Sequence, residues 1–305
     1  MLRKLLAGML LSLFLFSSVA SAAVPQDMTA IDKLSAVEKI IYGTEQTGSL
    51  VDRVGKLEKD VYGTASSDAL LTKIDKLYSY ISDNSAAAPS LLLKLNGIEW
   101  SITHTVTADP VMLRLGNLER SLDGSEQKGS VEDRLTKLMS LAYAAGQMDV
   151  SSTTINKDSL IKVQMVTPLD SRTSRVGDPV VFQAAEDVYV NGILVIAKGA
   201  QGTGAITKVE HAQNFGRDAV LTISYDTIKA IDGTDLNTFM GEKAKEQTKS
   251  MVTAAGASVA GMAILGPIGI VGGAFVHGKE ITIPAGTQLY IQMKADTTVF
   301  GMKGQ

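Results

Sequence analysis

The chain has 305 residues, of which 45% are hydrophobic and 20% charged, with 28 glycines, no cysteine and a formal net charge of −3. This balance is typical of a folded globular protein, and the length allows two domains. The absence of cysteine excludes disulfides, thiolate metal sites, cysteine nucleophiles and a lipidated N-terminal cysteine. The chain is slightly acidic and has no basic runs with interleaved aromatic residues, so we expect no nucleic acid partner.

The first 22 residues have the pattern of a secretory signal peptide. Two basic residues precede the apolar stretch 5–16, and Ala20 and Ala22 then supply the small residues of a cleavage site. As a helix the apolar stretch reaches about 18 Å, short of a hydrocarbon core of about 30 Å, which disfavours an N-terminal membrane anchor. The sequence therefore predicts an exported protein of the periplasm or outer membrane, with a mature chain that starts near residue 23.

Residues 28–145 contain six helical repeats of about 20 residues. One apolar position recurs every 20 or 21 residues, at Val37, Leu57, Leu77, Ile98, Leu118 and Leu138. Further apolar residues lie three or four positions away on each side, which predicts one apolar helix face per repeat. Helices this short are marginal alone, so we expect a compact array or bundle. A single long coiled coil is the alternative.

The ends of the predicted helices carry capping residues. Hydroxyl side chains begin four repeats, Asp109 and Pro110 begin the fifth, and glycines end three of them; the hydroxyl and glycine positions are Thr29, Ser49, Ser90, Ser130, Gly43, Gly63 and Gly124. Arg53, Arg114 and Arg134 share one repeat position. An arginine beside an apolar stripe usually packs its stem and leaves its charge in water, and we expect that role for all three.

A polar linker is predicted at 146–157, after which β-branched residues recur with a period of two. Asn191 and Gly192 form a strong hairpin-turn signal. Ten short strands are predicted, at 160–166, 180–185, 188–190, 193–196, 204–210, 220–225, 228–230, 236–240, 281–283 and 289–294. Many short strands favour a small barrel or sandwich over 158–300. The predicted fold class is α+β and multidomain: a short-helix repeat array, then a small all-β barrel.

The β pattern is interrupted over residues 242–279. Residues 250–276 carry no charge and are rich in glycine, with small residues spaced four apart as in closely packed membrane helices. We expect a helical hairpin whose contacts to a membrane or to other copies use Gly256, Gly261, Gly266, Pro267, Gly269 and Gly273, with Pro267 in the turn.

The position of this hairpin limits how it meets a membrane. Strands flank it on both sides, so its two ends lie on the same side of any bilayer and its crossings are even in number. Its limbs, 251–265 and 268–276, reach only about 22 and 13 Å as helices. We therefore expect it to dip into a membrane, the outer membrane by the resemblance given next, or to pack on copies of itself in a homo-oligomer. A hairpin folded onto its own barrel is the alternative.

The barrel resembles the C-terminal domain of the bacterial conjugation TrbI-like family, the outer-membrane channel subunits of type IV secretion machines. The resemblance lies in the order of the segments 183–190, 196–200, 202–204, 215–218, 231–234 and 283–289 around a helical hairpin. It implies a barrel whose hairpin crosses the membrane in an oligomer, and it implies no catalytic residues. A cleavable signal, the lack of a Pro-rich stretch and a shorter, Gly-richer hairpin depart from the family, which favours a stand-alone envelope protein.

Catalytic signals are sparse, so we expect no enzyme, cofactor or metal. His104, His211 and His277 are far apart in the sequence and lack metal-ligand spacing. A Ca²⁺ site from Asp170, Asp178, Glu186 and Asp187 is a minor alternative. The sequence thus predicts a non-enzymatic envelope protein in which the repeats form a spacer or bind another envelope component. A secretion-channel subunit is the first alternative and a soluble periplasmic ligand-binding protein the second.

Overall fold

The computed structural model describes residues 28–213, 217–254 and 279–303. The predicted signal peptide with Ala20 and Ala22 lies outside the described residues, as do His277 and the hairpin positions Gly256, Gly261, Gly266, Pro267, Gly269 and Gly273.

The six predicted repeats are six α-helices. They are α1 (Ala30–Tyr42), α2 (Leu50–Tyr62), α3 (Leu70–Ser82), α4 (Leu91–Thr103), α5 (Val111–Asp123) and α6 (Val131–Ala142). The four predicted hydroxyl caps each accept a hydrogen bond from the backbone N–H three residues later, and the three predicted glycines end helices in the left-handed conformation. The predicted cap by Asp109 is wrong: Pro110 is the N-cap of α5, and no side chain caps that end.

The helices form a closed bundle, because helices that are not consecutive in the chain are in contact. α1 packs on α3 and α5, α2 packs on α6, and α4 packs on α6. Gly43 at the end of α1 lies against Pro110, and Gly63 at the end of α2 lies against Ser130. In a solenoid each repeat would touch only its neighbours. All six of the recurring apolar residues, from Val37 to Leu138, are buried.

The C-terminal part is a barrel with an additional sheet. Its strands are β1 (Val150–Ile155), β2 (Leu160–Met165), β3 (Leu169–Asp170), β4 (Pro179–Ala184), β5 (Val188–Val190), β6 (Ile193–Ile196), β7 (Gln201–Glu210), β8 (Val220–Ile223), β9 (Thr227–Lys229), β10 (Asp235–Phe239), β11 (Thr282–Ile283), β12 (Gln288–Met293) and β13 (Thr297–Lys303). A seventh helix, α7 (Glu242–Ala254), follows β10.

The predicted barrel is confirmed by the pairing of its strands. The order β4-β2-β12-β10-β9-β7 closes on itself because β7 also pairs with β4, and β8 extends this sheet beyond β7. Side chains fill the interior: the rings of Phe182 and Tyr225 lie 5.3 Å apart, and Phe182 occupies the space beside Gly202. A second sheet has the order β1-β13-β6-β5, and β3 pairs with β11.

The segment 146–157, predicted as a linker, contains strand β1. Its polar Ser and Thr residues lie between buried Val150 and Ile155, and all six residues of the strand pair with β13. Strands β3 and β13 were also absent from the prediction; β13 follows the last predicted strand, which ends at residue 294. A strand whose exposed positions carry Ser and Thr resembles a loop in composition. Only its threonines, which are β-branched, favour a strand over a loop.

Helix α4 joins the bundle to the barrel because both of its faces are buried. Leu91, Leu95 and Ile98 belong to the bundle core, whereas Leu93 and Trp100 belong to the barrel core. At the position of Trp100 the other helices all carry polar residues, and at the position of Leu93 they do so except in α5, which has the exposed Leu113. The bundle is therefore packed directly on the barrel.

Candidate functional site

The first candidate site is the end of the barrel where the chain leaves for the glycine-rich segment and returns from it. α7 leads into that segment and packs along β12. The Ala244 N–H donates to Gln292 Oε1 at 3.1 Å, and the Tyr290 N–H donates to Thr248 Oγ1 at 2.9 Å. Ala244 and Thr248 are both fully buried. These contacts fix the start of the insertion on the barrel wall.

The chain that returns from the glycine-rich segment is also fixed to the barrel by hydrogen bonds. The Lys279 N–H donates to Asp218 Oδ1 at 2.7 Å, and the Lys279 C=O accepts from the Ala219 N–H at 3.0 Å. The buried Ser171 hydroxyl donates to Glu280 and accepts from the Ile281 N–H. The last residues of the insertion are thus tied to two parts of the barrel before β11 begins.

Both attachments lie toward one end of the barrel. α7 contacts Gln292 first and Tyr290 four residues later, so it runs antiparallel to β12, toward Gln288. Four helical residues advance about 6 Å and two strand residues about 6.7 Å, so the two elements stay in step. The returning strand β11 enters the turn at 284–287, which leads to the same end of β12.

A charged cluster surrounds the point of return. Asp170 pairs with Arg172, with Nη2 at 2.5 Å from Oδ2, and accepts from the Thr282 hydroxyl at 3.2 Å. The hydrogen bonds from Arg172 hold the pKa of Asp170 well below its usual range. Asp170 therefore stays ionised and holds β3 and β11 together at this end of the barrel.

The second candidate site is the junction between the bundle and the barrel. Trp100 Nε1 donates to Asp187 Oδ2 at 3.0 Å, and Asp187 Oδ1 accepts from the Lys198 N–H at 2.7 Å. Beside this contact lies a cleft of about 280 Å³ between α1, α4, the start of α5 and the β9–β10 turn. Its cations Lys39, Arg114 and Lys229 pair with Glu45, Glu99 and Asp235 respectively.

Repeated ion pairs connect consecutive helices of the bundle. A glutamate in one helix binds a cation in the next helix, 15 residues later: Glu38–Arg53, Glu58–Lys73, Glu99–Arg114 and Glu119–Arg134. The expectation of solvated arginine heads is wrong for Arg114 and Arg134, whose side chains are each 4% exposed. Arg134 donates to both carboxylate oxygens of Glu119, whereas Arg114 donates twice to Glu99 Oε2 and once to Asn96 Oδ1, and these charge-assisted hydrogen bonds account for the burial of both side chains.

The same glutamates also bind the loop that follows their own helix. Each accepts a backbone N–H eight residues later, from Gln46, Ser66, Thr107 and Gln127. Burial raises the pKa of Glu119, but the hydrogen bonds from Arg134 and Gln127 outweigh it and hold the pKa below its ordinary value. The one sequence signal for this loop contact is that the four glutamates occupy the same position when the repeats are aligned.

The residues considered for a metal or for catalysis are not brought together. Asp170 binds Arg172, Asp178 accepts from the Arg175 N–H, Asp187 binds Trp100, and Glu186 lies 3.7 Å from Lys162. Within residues 28–213, 217–254 and 279–303 no three acidic or histidine side chains form a metal-binding group. In that same part of the chain, every helix is too short or too polar to cross a bilayer.

Comparisons with known proteins find a structural similarity but no family. No protein-family model and no curated protein matches the chain. Among solved structures, the chain is similar to ComB10 of the Com type IV secretion system of Helicobacter pylori, with 17% identity and a TM-score of 0.26. The match covers 47% of this chain and 88% of the ComB10 chain. A likeness of this size does not assign the chain to the TrbI-like family or to any other.

Proposed function

We propose that this chain is an exported, non-enzymatic protein of the bacterial cell envelope. In this proposal the barrel holds residues 250–276 against a membrane, the outer membrane in an envelope that has one, or against further copies of the chain. The helical bundle presents a second surface, for another envelope component.

The observation that supports this proposal is the double attachment of the insertion. The chain enters the uncharged, glycine-rich stretch from α7 and rejoins the barrel at Lys279, and both attachments lie toward the same end of the barrel. One attachment uses the buried Ala244 and Thr248 of α7, whose other described side chains are mostly exposed, and the other uses the buried Ser171. Both ends of the insertion are thus held in a fixed position on the barrel.

The packing of α4 refines the role of the repeats. Because Leu93 and Trp100 belong to the barrel core, the bundle is part of the barrel's own structure. Of the two roles predicted for the repeats, a spacer or an interaction module, we therefore propose the second, in which the bundle offers a fixed binding surface.

The role of the glycines is tested by replacing Gly261 and Gly269 with leucine in the purified protein. Leucine at these positions would keep neighbouring backbones apart, so we expect loss of flotation with liposomes and of association in mild detergent. Val259→Leu with Val271→Leu is the matched control, because it enlarges the same segment without removing a glycine. Unchanged flotation and association of the glycine variant would contradict the proposed role.

The alternatives give different results in the same preparation. A secretion-channel subunit would co-purify in fixed stoichiometry with other envelope proteins. A soluble ligand-binding protein would neither float nor associate, whichever variant is used.

A further inference from the structure

Strand β1 forms an open edge of the second sheet. It pairs with β13 alone among the described strands, with Val150 opposite Met302 and Ile155 opposite Thr297. The Lys303 N–H donates to the Asp149 C=O at 3.1 Å, which continues this ladder by one residue. Because antiparallel ladders alternate, Asp149, Ser151 and Thr153 direct their backbone groups toward β13.

The intervening residues direct their backbone groups away from the sheet. These are Val150, Ser152 and Thr154, and within the part of the chain that the structure describes their N–H and C=O groups have no partner. The side chains of Ser152 and Thr154 are exposed. The backbone groups of this edge are therefore unpaired and available to a further strand, although β1 also lies near β5 and β6 of its own sheet.

This edge lacks the features by which sheets prevent unwanted pairing. Short length, bulges, charges and proline are the usual ones. The opposite edge, β5, has only three residues and a register shift after Val188, and the barrel's edge strand β8 has four residues beside a shift in β7. In contrast β1 has six residues, VSSTTI, in continuous register.

We propose that β1 is a dimerisation edge, at which β1 of one copy pairs antiparallel with β1 of a second copy about a two-fold axis at Thr153. In this register Ser152 exchanges backbone hydrogen bonds with Thr154 of the other copy. Asp149, the residue before β1, then lies opposite Lys157, a residue of the turn that follows β1, at each end of the pair. Both of these residues are exposed, and their opposite charges favour this register over its neighbours.

The register is tested by single-cysteine cross-linking, which is clean because the chain has no cysteine. The two Thr153 residues form a non-hydrogen-bonded pair with Cα atoms about 4.5 Å apart, within disulfide range. We expect Thr153→Cys to give a disulfide-linked dimer under mild oxidation. Ser151→Cys is the matched control, since its two thiols would be separated by about 13 Å along the strands. No cross-linking of Thr153→Cys, or equal cross-linking of both variants, would overturn the proposal.

The charge complementarity is tested by sedimentation of the mature chain at concentrations up to about 100 μM, a range suited to small interfaces. Asp149→Lys and Lys157→Asp should each weaken dimerisation about tenfold, and the double reversal should restore it. Asp149 also pairs with Lys303 at 2.7 Å in its own chain. Lys303→Met is therefore the control, and it should leave the dimer unchanged.

Two results would overturn the proposal: a monomer throughout this concentration range, or a dimer insensitive to both charge reversals. Repeating the measurement with residues 255–276 replaced by a Gly/Ser linker separates this interface from the proposed role of the glycine-rich segment. The β1 dimer should persist in that variant, and its loss there would overturn the assignment to β1.

Discussion

At the scale of single residues, Glu119 shows how one side chain fixes both a helix pair and a loop. Its carboxylate binds Arg134 of the next helix and the Gln127 N–H of the connecting loop. The side chains of Glu119 and Arg134 are 2% and 4% exposed. A buried pair of this kind contributes little net stability by itself, but each member depends strongly on the other.

Removing only one member should therefore be costly. We expect Arg134→Met to lower the free energy of unfolding by about 3 kcal/mol, because Glu119 is left as a buried charge without its cation. The double variant Glu119→Leu with Arg134→Met should recover more than half of this loss. The measurement is urea unfolding followed by circular dichroism.

Lys39→Met is the matched control, since Lys39 pairs with Glu45 on the exposed surface. Exposed pairs of this kind contribute little, so we expect no change beyond the error of the measurement. Equal effects of Arg134→Met and Lys39→Met would contradict the role given to the buried pair.

At the scale of secondary-structure elements, the sequence predicts what depends on local signals. The six helices follow from the spacing of apolar residues, and hydroxyls and glycines mark most of their ends. Ten of the strands follow from alternation. The pairing that closes the barrel, and the strands β1 and β13 that pair with each other across the length of the domain, depend on distant residues.

Helix α4 and the buried glutamates of the bundle also depend on residues distant in the sequence, which limits what can be predicted about them. Leu93 and Trp100 place apolar side chains on a helix face that is mostly polar in the other repeats. This difference indicates that α4 has a second contact, but it does not identify the partner. The glutamates align at one repeat position, yet their burial follows from the way the loops fold back. The attachments of the insertion depend on Thr248 and Ser171, whose residue types carry no signal in the sequence.

The junction between α4 and the barrel can be tested at Gly199. This glycine has a φ of +88°, and a Cβ there would lie 2.3 Å from the Val106 C=O. We expect Gly199→Ala to lower the free energy of unfolding by about 3 kcal/mol, through backbone strain and displacement of the α4–α5 loop. The fluorescence of Trp100, the single tryptophan, should shift as the junction loosens.

Gly192 provides the control, because its φ is +77° and a Cβ there would meet nothing within 4 Å. Gly192→Ala should lower the free energy of unfolding by about 1 kcal/mol from strain alone and leave the Trp100 fluorescence unchanged. Equal changes in the free energy of unfolding and in the Trp100 fluorescence for both substitutions would contradict the role given to the contact between Gly199 and Val106.

At the scale of the whole molecule, the helix bundle, the junction and the barrel form one body. The insertion leaves and returns at one end of the barrel, whereas β1 offers an edge in the other sheet. We propose that the protein has two surfaces for association, one from the glycine-rich segment and one from a sheet edge. In the same proposal the bundle has a fixed position from which to bind a further component.

We propose that residues 250–276 attach the protein to a membrane or to other copies, and cell fractionation is the decisive test of this proposal. Cells would express the tagged full-length chain, or a variant in which residues 255–276 are replaced by a Gly/Ser linker so that the described part of α7 remains. We expect the wild-type chain to be processed near residue 23 and to sediment with the membrane fraction or as a large assembly, and we expect the variant to be released as a soluble protein. Recovery of both chains as soluble species of the same size would contradict it.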